Sequence, residues 1–553
     1  MTVTCETHVV PAQAEIQQQL EDTSMRSSMI AGAVILGFAA IAMTPWAVLA
    51  ADTEPGALRI GWASTSITPE QPVIMSGGSR ARLSTGVMDP LTATALVLES
   101  ARDGGTAEQV VLVSVDLGSV HEDMLDRVLE ILAERAPEID PHKVIINGTH
   151  THAAAERRKD PRLVEKFAEL GIDVPLEWSW WGMDLGVKPS PSEYGEFASG
   201  RIADAIEQAW QNRKPGGLSF GLGHAVVGHN RLTAYNDGRS KMYGNTSQAD
   251  FSHVEGCEDH SVGLLYTFDA SGRLTGVVIN IACPAQVSEG GTLLTADYWH
   301  ETRNELHKRL GESLFILPQI AAAGDQSPRV LVDRRAEERM QKIIGRNRRE
   351  EIAVRIADAV TSVLPFMKDH IDTNPVLVHR MEQVALTRRR ITEEELESKA
   401  RKDFERLLAQ YTKMRRELEE EPERKQKANW YKDISQVYWH LARAIRFMDR
   451  YELQHSDPKL SVPVHVVRIG DLAVATNPLE LYLDYGMQIK ARSKAVQTFT
   501  VQLANGYYRY LPTERSVARG AYGAIPESNE VDPEGGRQLV ERTLELIDSL
   551  WQQ

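Results

Sequence analysis

The chain has 553 residues, a length that suggests more than one unit, and carries 62 basic against 77 acidic side chains for a formal net charge of −15. That balance argues against a phosphate-binding surface and excludes nucleic acid as the main partner. Of the three cysteines, Cys5 lies in a presequence, and Cys257 and Cys283 alone cannot make a disulfide framework.

Residues 1–24 are polar and acidic. Met25-Arg26-Ser27-Ser28 then precedes an apolar run over 29–43 and a small-residue exit, Val48-Leu49-Ala50-Ala51, the pattern of a secretory signal. The rival is a retained single-span anchor over 29–51, against which Pro45 and the Ala-rich exit favour cleavage. The expectation is an exported protein, periplasmic or secreted, with signal or anchor at 1–51 and the functional domain at 52–553.

Arg59-Ile60-Gly61-Trp62-Ala63, leading to Ser66-Ile67-Thr68-Pro69, reads as strand and turn. A Gly- and Ser-rich loop follows, then Gly86-Val87-Met88-Asp89-Pro90-Leu91 ahead of an apolar strand at 93–98. The valine-rich stretch 110–115 is a strand ending at Asp116-Leu117-Gly118, after which Met124, Leu125, Val128, Leu129 and Leu132 line one helix face. A strand at 144–146 completes a βαβ unit over 110–152 with a parallel pair. Its exit, Asn147-Gly148-Thr149-His150-Thr151-His152, presents two imidazoles where open α/β sheets bind ligands. Asp116 leaves the neighbouring strand at the same edge and reads either as a helix cap or as a carboxylate orienting a ligating imidazole.

Residues 156–190 are irregular, and their tryptophans Trp178, Trp180 and Trp181 read as local core or as the lining of a substrate channel. The pattern predicts a helix over 194–212, a strand over 218–227, and hairpin strands over 261–268 and 277–281, the second ending in Ala282-Cys283-Pro284. A helix over 298–311 and a strand over 314–318 lead into Gly324-Asp325-Gln326-Ser327-Pro328, a tight loop able to expose the Ser327 hydroxyl. One helix is expected over 332–363.

Residues 391–452 differ in kind. Thr392 and Glu395 make a capping box, and two apolar stripes separated by Glu420-Glu421-Pro422 predict a helical hairpin, packed as an insertion with solvated charged faces. Strands resume at 464–468 and 472–475, the second running into Pro478-Leu479-Glu480, which is expected to open a helix. A strand at 499–503 leads to the tyrosine-rich stretch 504–513, and Gly520-Ala521-Tyr522-Gly523 precedes a last helix over 535–550. These fragments add up to an α/β fold: a mixed, largely parallel sheet flanked by helices, with the helical hairpin at about 391–452 inserted.

Seven of these fragments, in this order, resemble the catalytic domain of the neutral/alkaline (non-lysosomal) ceramidase family. They are Ser66-Ile67-Thr68-Pro69, Gly86-Val87-Met88-Asp89-Pro90-Leu91, Val113-Ser114-Val115-Asp116-Leu117-Gly118, Gly148-Thr149-His150-Thr151-His152, Gly324-Asp325-Gln326-Ser327-Pro328, Pro478-Leu479-Glu480 and the Tyr510/Tyr522 pair. The resemblance covers about 58–330 and 464–550. It implies a zinc site with His150, Glu480 and Tyr510 as ligands and His152 beside the metal as a proton-handling or orienting group. It also implies Arg231 and Tyr522 as binders of the substrate amide, Ser327 as the catalytic serine, and a small-molecule amide or lipid such as ceramide as substrate, with contact at a membrane surface.

The sequence departs from the family pattern in several places. The family's remaining zinc ligand, a histidine at a strand end before proline, is here Cys283, and its Ser-Gly-Pro-Gly-Gly after the histidines is here Ala153-Ala154-Ala155-Glu156-Arg157. The hairpin at 391–452 replaces a shorter connection. Family members also end in an immunoglobulin-like β-domain, and the expectation is a divergent member lacking it.

Amide hydrolysis needs a polarised carbonyl, a nucleophile effective near pH 7 and an acid for the leaving amine; zinc supplies the first two. Cys283 then has three readings: a zinc ligand, a nucleophile, or a plain buried thiol. If it does not ligate, His300 or a water fills its place. Ser327 either attacks the carbonyl, bonds the zinc-bound water, or simply shapes its turn. Cys257 and His260 rank below these. Two other functions stay open: a catalytically silent relative that binds a lipid or glycan, and a hydrolase of non-lipid amides or esters.

Overall fold

Eight strands form the larger of the two main sheets in the computed structural model, which describes residues 57–100 and 107–552; the expected signal or anchor at 1–51 lies outside them. The strands are β1 (Leu58–Ser66), β2 (Thr92–Ser100), β3 (Glu108–Val115), β4 (Val144–Gly148), β5 (Lys214–His224), β6 (Ser261–Asp269), β7 (Leu274–Ile281) and β8 (Phe315–Ile320). Their spatial order is β8-β7-β6-β5-β1-β2-β3-β4. The sheet is mixed, as expected, but parallel pairing is confined to its two ends, β3 with β4 and β7 with β8. All neighbours between them run antiparallel, which corrects the expectation of a largely parallel sheet. The physical reason is connection type: the two parallel pairs are those joined through a helix, whereas β6 and β7 are linked by a tight turn that reverses the chain.

Helices α1 (Glu122–Arg135) and α2 (Pro191–Gln211) bury their apolar stripes against the β1–β4 half of the sheet, and α3 (Tyr298–Leu310) and α4 (Arg348–Met367) against the β6–β8 half. The single helix expected over 332–363 is two. Gly345, left-handed at φ 73°, ends Arg334–Ile344, and Asn347 with Glu350 forms a capping box that starts α4.

The second sheet is sequential: β9 (Leu377–Thr387), β10 (Lys459–Ile469), β11 (Leu472–Thr476) and β12 (Gln497–Val501). Between β9 and β10 the chain inserts the hairpin α5 (Lys402–Glu420) and α6 (Tyr431–Leu453), preceded by the expected Thr392/Glu395 capping box. Helices α7 (Leu483–Arg492) and α8 (Pro533–Leu550) pack on this sheet's outer face. Its inner face meets the large sheet, where Leu96, Leu112, Ile145, Val278 and Leu317 share one core with Leu377, Val467, Val474 and Phe499. The result is a helix–sheet–sheet–helix sandwich.

The hairpin is held by buried tyrosines. Tyr411 donates to the Gly182 carbonyl at 2.8 Å and Tyr438 to the Ser179 carbonyl at 2.6 Å, beside the fully buried Trp178 and Trp181. Those two tryptophans are core; Trp180 instead faces a cavity at the exits of β4, β11 and β12.

Candidate active site

That cavity holds about 450 Å³ and is lined by His150, His152, Arg231, Glu480, Tyr510 and Tyr522 among others. His150 lies two residues past β4 in a left-handed conformation, φ 56°, which is costly for a residue with a Cβ and marks a position held by its surroundings. Its Nδ1 sits 2.5 Å from the Gly118 carbonyl. A carbonyl only accepts, so the proton belongs on Nδ1, and in the neutral ring the Nε2 lone pair faces the cavity.

Glu480 and Tyr510 are brought together by a short parallel pairing of Glu480–Leu481 with Tyr510–Leu511, in which the two are register partners. Glu480 therefore does not open a helix; α7 starts only at Leu483. The Glu480 Oε2 lies 3.6 Å from His150 Nε2, and Oε1 accepts from the Tyr507 hydroxyl at 3.0 Å. Burial alone would raise the Glu480 pKa, but His150, Arg231 and the Tyr510 hydroxyl override it and hold the carboxyl down at about 2. Burial pushes Tyr507 and Tyr510 well up, so both are neutral phenols in the bare protein.

Arg231 donates Nη2 to the Gly324 carbonyl at 2.7 Å and to the Tyr510 hydroxyl at 3.1 Å, and its buried Nε has no acceptor among the described residues. His152 Nε2 is 3.4 Å from His150 Nε2 and accepts from Gln286 Nε2 at 2.7 Å, so its Nδ1 proton faces Glu289 Oε2 at 3.3 Å. Burial lowers the His152 pKa more than Glu289 raises it, and the ring is neutral. Tyr522 stands at the mouth, 38% exposed, its ring 6.0 Å from that of Tyr510.

Two expected residues are elsewhere. Cys283 turns into the apolar core with Val227, Ile281 and Trp299, where burial pushes its thiol far up and Sγ lies 3.5 Å from the Pro284 carbonyl, with the Tyr298 hydroxyl as a further partner. Among the described residues no three His, Cys, Asp or Glu side chains form a metal-holding group, so Cys283 does not complete a set with His150 and Glu480. The strand exit points it to the α3 side of the sheet, where it packs as a buried thiol. Ser327 is fully buried behind the cavity wall, its hydroxyl accepting from Tyr243 at 3.1 Å and from the Arg329 amide at 3.2 Å. Tyr243 is the side chain that reaches the cavity.

Asp116 neither caps α1 nor touches His150. It accepts from the Thr92 amide and hydroxyl at 2.9 and 2.8 Å and pairs with Nη1 and Nη2 of Arg303, while the Gly118 carbonyl orients the imidazole. Cys257, His260 and His300 do not line the cavity; His260 pairs with Glu258 and His300 with Asn304.

An imidazole nitrogen, a carboxylate and a phenol oxygen are donors that zinc accepts. His150 Nε2 and Glu480 Oε2 face each other at 3.6 Å, a gap that a proton on Nε2 or, with His150 neutral, a cation would fill. The residues present therefore fit the metal through His150, Glu480 and Tyr510, without Cys283.

Sequence reading missed Tyr507, Glu289, Tyr243 and the cavity arginines other than Arg231. Tyr507 lay inside the tyrosine-rich stretch, but no spacing separates it from its neighbours; Arg443 and Arg446 lie on a helix face read as solvated.

No family model matches the sequence, and no curated relative matches it. Among solved structures, the neutral ceramidase from Pseudomonas aeruginosa superposes with a TM-score of 0.59 at 16% identity, over 90% of this chain and 75% of that one. A ceramidase complexed with C2 gives the same TM-score, identity and coverage. The fold is ceramidase-like. Within this ceramidase-like fold, the cavity collects side chains from the exits of β4, β11 and β12.

Proposed function

We propose that the protein is a metal-dependent amidohydrolase that cleaves an N-acyl bond, with zinc held by His150, Glu480 and Tyr510. The observation that carries the reading is the convergence of His150 Nε2 and an ionised Glu480 at 3.6 Å, each fixed by a further hydrogen bond, in a cavity of a ceramidase-like fold. Zinc bound there would polarise an amide carbonyl and bring the pKa of a water molecule to about 7.

The protein's own groups supply the rest. Arg231 offers its unmet Nε–H to the carbonyl oxygen as negative charge builds on it. Neutral His152, steered by Glu289, is placed to take a proton and return it to the departing amine. Tyr522 at the mouth orients the amide. Ser327 holds Tyr243 in position and does not attack.

The test is hydrolysis of a panel of N-acyl amides, with zinc content measured on the same protein. Turnover abolished by a chelator, restored by zinc and lost in Glu480→Ala is the expected outcome. Turnover indifferent to both treatments contradicts the proposal.

A further inference from the structure

Six arginines and no lysine line the cavity: Arg157, Arg158, Arg231, Arg443, Arg446 and Arg509. They face four glutamates, Glu156, Glu289, Glu480 and Glu527. Arg158 is taken up by Glu156, Arg446 pairs with Asp160 at 2.7 Å, Arg509 with Glu530 at 3.2 Å, and Arg157 lies 3.6 Å from Asp123. Arg231 and Arg443 have no carboxylate within 4.0 Å among the described residues.

Arg443 bonds only the Ser528 hydroxyl, at 3.2 Å, and its guanidinium lies 5.2 Å from the Trp439 ring and 5.8 Å from the Tyr522 ring. Two buried guanidinium nitrogens on this lining, Arg231 Nε and Arg446 Nη2, have no acceptor among the described residues, and Arg157 Nη1 meets only the Asp123 carboxylate at 3.6 Å. The arginines stand among apolar and aromatic walls, Leu117, Ala155, Met242, Trp180 and Trp439.

The planar fork of arginine matches carboxylate, sulfonate and phosphate oxygens. Arg443 is separated from Tyr510 by a single aromatic side chain, Tyr522, whose ring is 6.0 Å from that of Tyr510. An anionic group on a short spacer from an amide at Arg231 and Glu480 has to pass the Tyr522 ring to meet Arg443.

We infer that the substrate is a compact amide carrying an anionic group, which Arg443 binds while the amide lies beside Arg231. This rests on the amidohydrolase reading for the reaction, but the binding it describes is measured separately from turnover. Glu480→Gln protein is titrated calorimetrically with four N-hexanoyl amides of similar length: the β-alanine, taurine and O-phosphoethanolamine derivatives and the neutral ethanolamine derivative. At least one anionic amide is expected to bind about tenfold or more tightly than the neutral one, and the tightest arm names the acid recognised. Arg443→Gln on the same background is expected to bring the ratio to about one, with Arg443→Lys recovering part of it. The wild-type kcat/KM values for the same four amides repeat the comparison without relying on any variant.

Equal binding of all four, or tighter binding of the neutral amide, overturns the inference. Preferential binding of an anionic amide that is never hydrolysed upholds the anion site and defeats the hydrolase reading. Hydrolysis of all four with equal kcat/KM does the reverse.

Discussion

His150, Glu480 and Tyr510 reach the cavity from strand exits, and Trp439, Arg443 and Arg446 reach it from a helix inserted between β9 and β10. The first group is fixed by backbone: a left-handed residue bonded to the Gly118 carbonyl and a two-residue parallel pairing that makes Glu480 and Tyr510 partners. The second is fixed by docking: α6 is positioned because Tyr411 and Tyr438 seat the hairpin on Gly182, Ser179 and Phe167. The difference suggests a division of labour in which strand exits carry the chemistry and the insertion selects what reaches it.

Glu480→Ala is the strongest way to break the first group. Removing an ionised carboxylate bonded by Tyr507 and Tyr510 is expected to cost about 10³-fold in kcat/KM and most of the bound zinc, read by kinetics and metal analysis. Gly182→Ala strikes the second group. Gly182 has φ 86°, and an added Cβ would collide with the Tyr438 ring and the Tyr411 hydroxyl. A loss of about 3 kcal/mol in urea unfolding is expected, with the anionic preference falling more than zinc affinity.

Acid probes the support under the strand exits. His379 Nε2 meets His465 Nδ1 at 3.0 Å, and His465 Nε2 meets Asn505, which in turn bonds the backbone of Val144 and Ile146 in β4. Burial lowers the pKa of both histidines, that of His465 to about 3. Each is neutral when folded but takes up a proton in the unfolded chain below about pH 6.5, so its contribution is complete above that pH and is lost as the pH falls toward the folded value. At pH 5 the loss is about 2 kcal/mol for His465, visible as a falling Tm that His465→Gln flattens. The smallest effect is expected from Cys283→Ala: about 1 kcal/mol of stability from the lost sulfur, with zinc content unchanged.

The β3-α1-β4 unit was legible because its periodicities are local; its register, Val111 opposite Val144 through Val115 opposite Gly148, is seen only in the structure. The pairing of Glu480 with Tyr510 was not, because a two-residue parallel pairing joins segments distant in sequence; the site there was legible only through the family resemblance. Gly345 and Asn347 carried the signals that split the expected helix, and those were passed over. The packing of Cys283 was not legible because the direction of a side chain just past a strand depends on which face the exit turns to. Arg443 and Arg446 were read as a solvated face because charge on an amphipathic helix gives no sign of the cavity it will border.

Anomalous diffraction at the zinc edge from crystals grown with zinc tests the central claim most directly. A single peak about 2.0–2.3 Å from His150 Nε2, a Glu480 oxygen and the Tyr510 hydroxyl, with none at Cys283, is the result expected. A peak at Cys283, or none in the cavity at saturating zinc, would contradict it.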